Sequence, residues 1–190
     1  IPTDMQRLSA CGLPMPGVRV EIFDEDGNPC PIDTPGEVCV QGASVMDGYW
    51  RQPELTAETL VDGWLHTGDI GVRGNDGFIT LVDRKKDMII SGGENVYPAE
   101  IEGVLGAHPN ISEAAVIGQE SARWGESPLA IVVRTDDSLS ENDVLEYCNG
   151  KLARFKQPQS VVFIEQIPRN PSGKILKRVL REQFPDAAPT

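Results

Sequence analysis

Three short stretches combine charged side chains with glycine or proline in patterns that could serve an anionic ligand. The stretch PRNPSGK ends in Lys174, and the apolar pattern after it predicts a closing helix with Lys174 at its N-terminus. Because a helix N-terminus disfavours a cation, either a bound anion compensates there or Lys174 is one solvated lysine among several. The stretch is not a P-loop, which requires GxxxxGK[ST] after a strand.

The other two stretches carry an aspartate, an arginine and a glycine pair. GWLHTGD ends in Asp69, and LVDRKKDMIISGGENVYPAEIE places Arg84 after a strand and Gly92 and Gly93 ahead of a helix. A carboxylate at a strand end can accept both hydrogens of a ribose diol, although Thr-Gly-Asp is also ordinary turn chemistry. The glycine pair predicts a tight turn, which would also let a slender ligand pass close to the backbone.

The elements that must position these residues fall into two groups. Up to about residue 82 the alternating strands VRVEIF, GEVCVQG and FITLVD are separated by Gly-containing turns, with QPELTAETL as one short helix. After DRKKD, helices alternate with strands. The predicted helices are YPAEIEGVLGAHP with Pro98 at its start, SENDVLEYCNGKLARF, and the closing helix, which buries Ile175, Leu176, Val179 and Leu180. The second begins with Ser140 as N-cap and has Asp143 three residues later, a pattern close to a capping box.

This order predicts an α+β fold. Residues 1–83 form a small distorted antiparallel sheet or barrel, and residues 88–190 form a compact α+β domain. The boundary falls in the charged run between Asp83 and Asp87.

Composition excludes several classes of function. The net charge of −12 argues against a nucleic-acid partner, although residues 151–190 are basic and could serve an anionic ligand or dock on the acidic remainder. The four cysteines show no metal-ligand spacing, so we expect reduced thiols and no zinc site. No apolar run approaches the roughly 20 residues that span a bilayer, and we do not expect the first ten residues to act as a signal peptide.

Four motifs follow one another along the chain, in the order GYWRQPELT, DGWLHTGD, DRKKDMIISGGENVYPAEIE and PRNPSGK. Together they resemble the adenylate-forming enzymes, the superfamily of acyl-CoA synthetases, luciferases and peptide-synthetase adenylation domains. The resemblance covers nearly the whole chain. It places residues 1–83 at the last β subdomain of the large AMP-binding domain, residues 84–87 at a hinge, and residues 88–190 in the mobile C-terminal domain.

The resemblance implies two half-reactions and assigns residues to them. A carboxylate attacks ATP to give acyl-AMP and pyrophosphate, and the thiol of coenzyme A then displaces AMP. Asp69 would bind the ribose hydroxyls with help from Arg84, and Lys86 would lie at the hinge. Lys174 would be the catalytic residue that reaches the α-phosphate and the substrate carboxylate.

The SGGENVYPAEIE loop resembles the coenzyme A ligases more than the peptide-synthetase domains. Gly92 and Gly93 would then border the pantetheine tunnel, and Trp124, Phe155 and Lys156 would contact the nucleotide end of coenzyme A. The alternatives are that Trp124 is a packing residue and that Phe155 ends the apolar face of a helix. At Gln157 some relatives carry a basic residue instead, so the recognition of a phosphate there is left open. Lys177, Arg178 and Arg181 are expected to form a solvated or docking surface.

The expected parent protein is a cytoplasmic fatty acid–CoA ligase that uses ATP, Mg²⁺ and coenzyme A. There are two alternatives. One is an aryl-acid or other carboxylate ligase of the same superfamily, and the other is a non-catalytic interaction module that retains the fold. The family's phosphate loop and acyl pocket would belong to an N-terminal partner domain of the same protein. The chain alone is therefore expected to be inactive, and no tightly bound cofactor or metal is expected.

Overall fold

The computed structural model describes Arg7 and residues 9–185. Most of the first ten residues, which we do not expect to act as a signal peptide, lie outside this described part. The chain divides into two compact units, the first ending at Lys86 and the second beginning at Asp87. None of the described helices has the length and apolarity that crossing a bilayer requires.

The first unit is a five-stranded antiparallel sheet built around one long strand. Its elements are β1 (Val18–Phe23), β2 (Gly36–Gly42), α1 (Pro53–Thr59), β3 (Leu60–Val61), β4 (Trp64–Arg73) and β5 (Ile79–Arg84). The path is β1-β2-β4-β3, with β5 also paired to β4. A small core of Ile22, Val38 and Ile79 lies on one face. β4 thus contacts three strands, and Asp69 lies within it.

The second unit is a mixed sheet covered by helices on both faces. Its elements are β6 (Ile89–Ser91), β7 (Glu94–Val96), α2 (Pro98–Gly106), β8 (Ile111–Ser121), β9 (Gly125–Arg134), α3 (Glu141–Cys148), β10 (Ser160–Phe163) and α4 (Lys177–Gln183). The path is β10-β9-β6-β7, with β8 also paired to β9, and only the β10–β9 pair of this path is parallel.

Strands β8 and β9 are buried on both sides because their alternating residues enter two different cores. Val116 packs in a core with Ile101 and Leu105 of α2, whereas Ile117 packs in a second core with Leu180 of α4. Since neighbouring residues of a strand point to opposite faces, both faces must be apolar, which explains the continuous run PLAIVV.

The predicted α+β class is confirmed, as is the capping box of α3. The Ser140 hydroxyl accepts a hydrogen bond from the Asp143 N–H at 3.3 Å, and the Asp143 carboxylate accepts one from the Ser140 N–H at 2.9 Å. This reciprocal pair satisfies two N–H groups that the helix would leave without partners.

Three local predictions were wrong. The helix predicted to run to Phe155 ends at Cys148, because the chain turns through Gly150 at φ +74°, and Phe155 lies in a 3-10 turn, Arg154–Lys156. The closing helix begins at Lys177, so Lys174 precedes it by three residues. The predicted Thr-Gly-Asp turn lies inside strand β4.

We predict that Ile101→Ala lowers the free energy of unfolding of the second unit by about 3 kcal/mol, because the side chain is fully buried against its core. Ile90→Ala is the matched control: Ile90 is 51% exposed, and we expect a loss below about 1 kcal/mol. Urea unfolding followed by amide NMR signals of β8 measures both, and equal losses would contradict the packing described here.

Candidate functional site

Asp69 and Arg84 are cross-strand partners on β4 and β5. The Arg84 Nε lies 3.1 Å from Asp69 Oδ1, and the Asp69 side chain is 27% exposed whereas that of Arg84 is 54% exposed. A cavity of about 360 Å³ opens beside them, lined by Thr67, Gly68 and residues 84–86. The fold therefore brings the predicted ribose-binding pair together, with Lys86 at the same cavity.

The carboxylate of Glu37 is the most enclosed acidic group of this region, with its side chain 9% exposed. Its Oε1 accepts a hydrogen bond from the Gly68 N–H at 3.1 Å. Its Oε2 accepts from Lys85 Nζ at 2.9 Å and lies 3.0 Å from His66 Nδ1. Because an ionised carboxylate only accepts hydrogen bonds, Nδ1 of His66 carries the proton.

The pKa of Glu37 reflects two opposing influences. Burial raises the pKa, but the hydrogen bonds from Lys85 and His66 and their positive charges outweigh burial, so the pKa lies below its ordinary value of 4.5. Glu37 is therefore ionised at neutral pH. Sequence reasoning missed this residue, and its only signal was an acidic residue at the start of an otherwise apolar strand.

Glu37 also belongs to a cluster with metal-ligand chemistry. Ligand atoms of Glu37, Cys39 and His66 lie within 4.8 Å of one another. Sequence spacing did not reveal this cluster because its members come from β2 and β4. Burial and the nearby Glu37 charge raise the pKa of the Cys39 thiol to about 12, which disfavours the thiolate, and the Glu37 carboxylate already has three donors. We assign the cluster to hydrogen bonding, not to a metal.

In the second unit, Gly92 and Gly93 form the tight turn of the β6–β7 hairpin. Both have positive φ, +63° and +85°, which the type I′ turn of a two-residue hairpin requires. A Cβ on Gly92 would lie 3.0 Å from the Trp124 ring, so glycine is also needed for the close approach of this indole. The predicted tight turn is correct. The missing side chain of Gly92 leaves the space that the Trp124 ring occupies.

A cavity of about 410 Å³ lies beside this turn. Its lining includes Gly92, Arg123, Trp124, Arg154, Phe155 and Gln159. Trp124 and Phe155 are each 41% exposed, which is high for large apolar side chains and disfavours the alternative in which they only fill a core. The structure thus brings together three of the residues predicted to contact coenzyme A: Gly92, Trp124 and Phe155.

Two other predicted contacts do not line this cavity. Gly93 occupies the second turn position, and the Lys156 ammonium pairs with Glu100 at 2.6 Å. Sequence reasoning instead missed Arg123 and Arg154, which directly precede the two aromatic residues. The Arg123 guanidinium lies 4.6 Å from the centre of the Trp124 ring. A charged residue beside each exposed aromatic residue was the available signal.

Lys174 lies in a hydrogen-bonded loop ahead of α4. The Asn170 side-chain oxygen accepts from the backbone N–H groups of Ser172 at 3.0 Å and Lys174 at 2.9 Å. Arg169 donates to the Gly173 carbonyl at 2.7 Å and pairs with Glu113 of β8 at 2.7 Å. The Lys174 side chain is exposed, and its ammonium forms no ion pair with the carboxylates that the structure describes.

The basic residues of α4 divide between the two expectations, a solvated surface and a docking surface. Lys177 pairs with Glu102 at 2.8 Å and is 13% exposed, and Arg181 pairs with Asp87 at 2.7 Å. Arg178, whose side chain is 77% exposed and which pairs with Glu182 one turn later, fits the solvated surface. Lys177 and Arg181 instead fix α4 to its own unit.

Sequence profiles of known families match both parts of the chain. The profile of the AMP-binding enzyme matches residues 1–50, and that of the AMP-binding enzyme C-terminal domain matches residues 100–174. The chain belongs to the AMP-binding enzymes.

Relatives among the AMP-binding enzymes act on different acids. A long-chain-fatty-acid–CoA ligase of Escherichia coli O6:H1 is 45% identical over 90% of this chain and 31% of its own length. A 2-succinylbenzoate–CoA ligase of Bacillus cytotoxicus is 42% identical over 94% of this chain and 37% of its own length. The crystal structure of ATP-bound MatB from Rhodopseudomonas palustris superposes with a TM-score of 0.88, at 41% identity over 94% of this chain and 36% of that one. The chain thus spans about a third of the length of these relatives.

The lowered pKa of Glu37 predicts a pH-dependent contribution to the stability of the first unit. A carboxyl group whose pKa is lower in the folded state stabilises that state above its unfolded pKa, and this contribution is lost as the pH falls through the folded pKa. We expect the stability advantage of the wild type over Glu37→Gln to be largest near pH 7 and to shrink from about pH 5 downward.

Urea unfolding at several pH values, followed by amide NMR signals of β2 and β4, measures this difference. Glu21→Gln on β1 is the matched control, because Glu21 pairs with Arg73 on the same sheet but does not contact Gly68 or Lys85. A stability advantage that stayed constant from pH 7 to pH 3 would contradict the assignment of an ionised Glu37.

We also predict that Gly92→Ala destabilises the second unit by about 1–2 kcal/mol, because its φ of +63° is unfavourable for any residue with a Cβ. The control is Gly103→Ala in α2, where a Cβ meets nothing within 4 Å. This exchange should stabilise the unit by about 0.5–1 kcal/mol because alanine favours helix. Thermal unfolding measures both, and changes of the same sign would contradict the prediction.

Proposed function

We propose that this chain is part of an ATP-dependent carboxylic acid–CoA ligase that acts on a fatty acid. In the first half-reaction an acid oxygen attacks the α-phosphorus of ATP, forming acyl-AMP and releasing pyrophosphate. In the second, the sulfur of coenzyme A attacks the acyl carbonyl carbon, and AMP leaves as the thioester forms. Mg²⁺ would accompany ATP as part of that substrate.

The observation that carries this proposal is the Asp69–Arg84 pair beside an open cavity in a chain of the AMP-binding enzymes. A partly exposed carboxylate can accept both hydrogens of the ribose diol, and charge-assisted hydrogen bonds of this kind are the stronger ones. Arg84 holds Asp69 in place and retains further donors for the nucleotide. We propose that Asp69 and Arg84 bind ribose and that residues 84–87, including Lys86, are the hinge.

Lys174 is the proposed catalytic residue of the first half-reaction. The acid and the α-phosphate are both anionic, and a compact ammonium between them offsets their repulsion and stabilises the charge that develops in the transition state. Two features support this role: the Lys174 side chain is exposed, and Asn170, Arg169 and Gly173 fix the loop that carries it. A fixed loop reduces the ordering needed when the substrate binds.

The cavity of the second unit is the proposed site for the thiol substrate. Coenzyme A joins a slender pantetheine arm to an adenine nucleotide with several phosphates. Trp124 and Phe155 offer exposed aromatic surfaces to the base, Arg123 and Arg154 offer guanidinium groups to the phosphates, and the Gly92–Gly93 turn leaves room for the arm. Gln157 is uncharged, whereas some relatives carry a basic residue at this position. Arg123 and Arg154 could supply the missing positive charge. Gly93 and Lys156 remain proposed contacts at the edge of this site.

A different acid is the nearer rival, because the 2-succinylbenzoate–CoA ligase is almost as similar to this chain as the fatty-acid ligase. A non-catalytic module is less well supported, because Asp69, Arg84, Lys86 and Lys174 are all present. A module that performs no chemistry has no need for all four charged groups at the positions that the resemblance assigns.

The test is acid-dependent ATP–pyrophosphate exchange by the full-length protein, with a panel of fatty and aryl acids. We predict that Lys174→Ala reduces exchange about a hundredfold or more, since losing one such contact costs about 3 kcal/mol. Thioester formation from preformed acyl-AMP should survive, because that step does not bring the two anions together.

Lys151→Ala is the control, because Lys151 is an exposed lysine of the same unit that stacks on Tyr147. Normal exchange in Lys174→Ala would show that Lys174 is an ordinary surface residue. A wild-type protein that exchanges with none of the acids would refute the proposed reaction.

A further inference from the structure

The pairing of β4 with β2 is irregular at the segment of β4 that carries Asp69. β2 and β4 pair Glu37 with Ile70 and Cys39 with His66, so the single residue Val38 lies opposite a three-residue segment of β4. Gly68, in the middle of this segment, has φ +72°. A bulge of this kind leaves backbone groups outside the strand ladder and directs side chains away from their regular positions.

Side chains accept hydrogen bonds from two N–H groups of this bulge. The Gly68 N–H donates to Glu37 Oε1 at 3.1 Å, and the Asp69 N–H donates to Thr67 Oγ1 at 3.1 Å. The Thr67 hydroxyl in turn donates to the Val38 carbonyl at 2.7 Å. The start of β2 therefore determines the path of the backbone on which Asp69 lies.

The same carboxylate reaches the other half of the Asp69–Arg84 pair. Glu37 Oε2 accepts from Lys85, which directly follows Arg84, at 2.9 Å. Glu37 is almost fully enclosed, whereas Lys85 is 52% exposed. One buried carboxylate thus holds residues adjoining both members of the pair, although it lines neither of the two cavities described above.

We propose that Glu37 is a positioning residue for ribose recognition. It acts through the Gly68 N–H and the Lys85 ammonium to hold Asp69 and Arg84 in the geometry that accepts the two ribose hydroxyls. This inference rests on the proposed function, because it assumes that Asp69 binds ribose. An amide cannot replace the carboxylate, since its NH₂ group would point a donor at Lys85 or at Gly68.

The experiment compares ATP with 2′-deoxy-ATP in the exchange reaction of the full-length protein. The wild type should prefer ATP, in kcat/KM, by about tenfold or more, because Asp69 loses one hydrogen bond with the deoxy nucleotide. Asp69→Asn should reduce this preference directly. Glu37→Gln should reduce it by a similar factor without touching the nucleotide, and Glu37→Asp, which keeps the charge but shortens the side chain, should reduce it less.

Glu21→Gln is the matched control and should keep the wild-type preference. If Glu37→Gln does not fold, as judged by its thermal unfolding, Glu37→Asp decides. Equal loss of activity with both nucleotides, at an unchanged preference, would overturn the proposal, because it indicates a structural role only. A wild type without preference for ATP would refute the ribose role of Asp69 and with it the role of Glu37, whereas absent exchange with any acid would refute the proposed reaction itself.

Discussion

The Glu37 carboxylate and its three donors are the interaction on which the edge of the first unit around Asp69 and Arg84 depends. A buried carboxylate is costly unless hydrogen bonds and positive charge compensate for its lost hydration. Here the compensation comes from two side chains and one backbone N–H, and two of these donors adjoin functional candidates, Gly68 next to Asp69 and Lys85 next to Arg84. The hydrogen bonds that stabilise the buried Glu37 carboxylate therefore also fix the neighbours of Asp69 and Arg84.

The two proposed ligand sites are built in different ways. In the first, acceptor and donor groups lie on paired strands, whose register fixes them across the sheet. In the second, a glycine hairpin and a 3-10 turn present aromatic and guanidinium groups around a cavity. Strand pairing suits a small set of directed hydrogen bonds, and a cavity between loops suits a long ligand with several chemical parts. This division agrees with a reaction that uses a nucleotide and a thiol in separate steps.

Local sequence signals predicted much of the fold because their causes are local. Ser140 and Asp143 lie in one turn of helix, and Gly92–Gly93 is a two-residue hairpin turn, so each pattern contains its own explanation. The bulge at Thr67–Asp69 could not be predicted in this way. The Gly68 N–H of the bulge donates to Glu37, about thirty residues earlier in the chain, and no local pattern reports that contact.

The predicted helix boundaries failed for related reasons. Apolar periodicity continues past Cys148 into Leu152, but Leu152 is buried after a turn through Gly150 and not on a helix face. Ile175 also continues the pattern of α4, although it forms a bridge with Arg169 in the loop ahead of the helix. Periodicity reports which residues are buried, and tertiary contacts decide the backbone that buries them.

NMR titration of this chain tests most directly whether the first unit contacts AMP and the second unit contacts coenzyme A. AMP should shift the amide signals of residues 66–69 and 84–86, and coenzyme A should shift those of residues 91–93, 123–124 and 154–156. AMP shifts that Asp69→Asn abolishes, with the coenzyme A shifts unchanged, would support the account. Shifts from both ligands at the same residues, or from neither ligand at millimolar concentration, would contradict it.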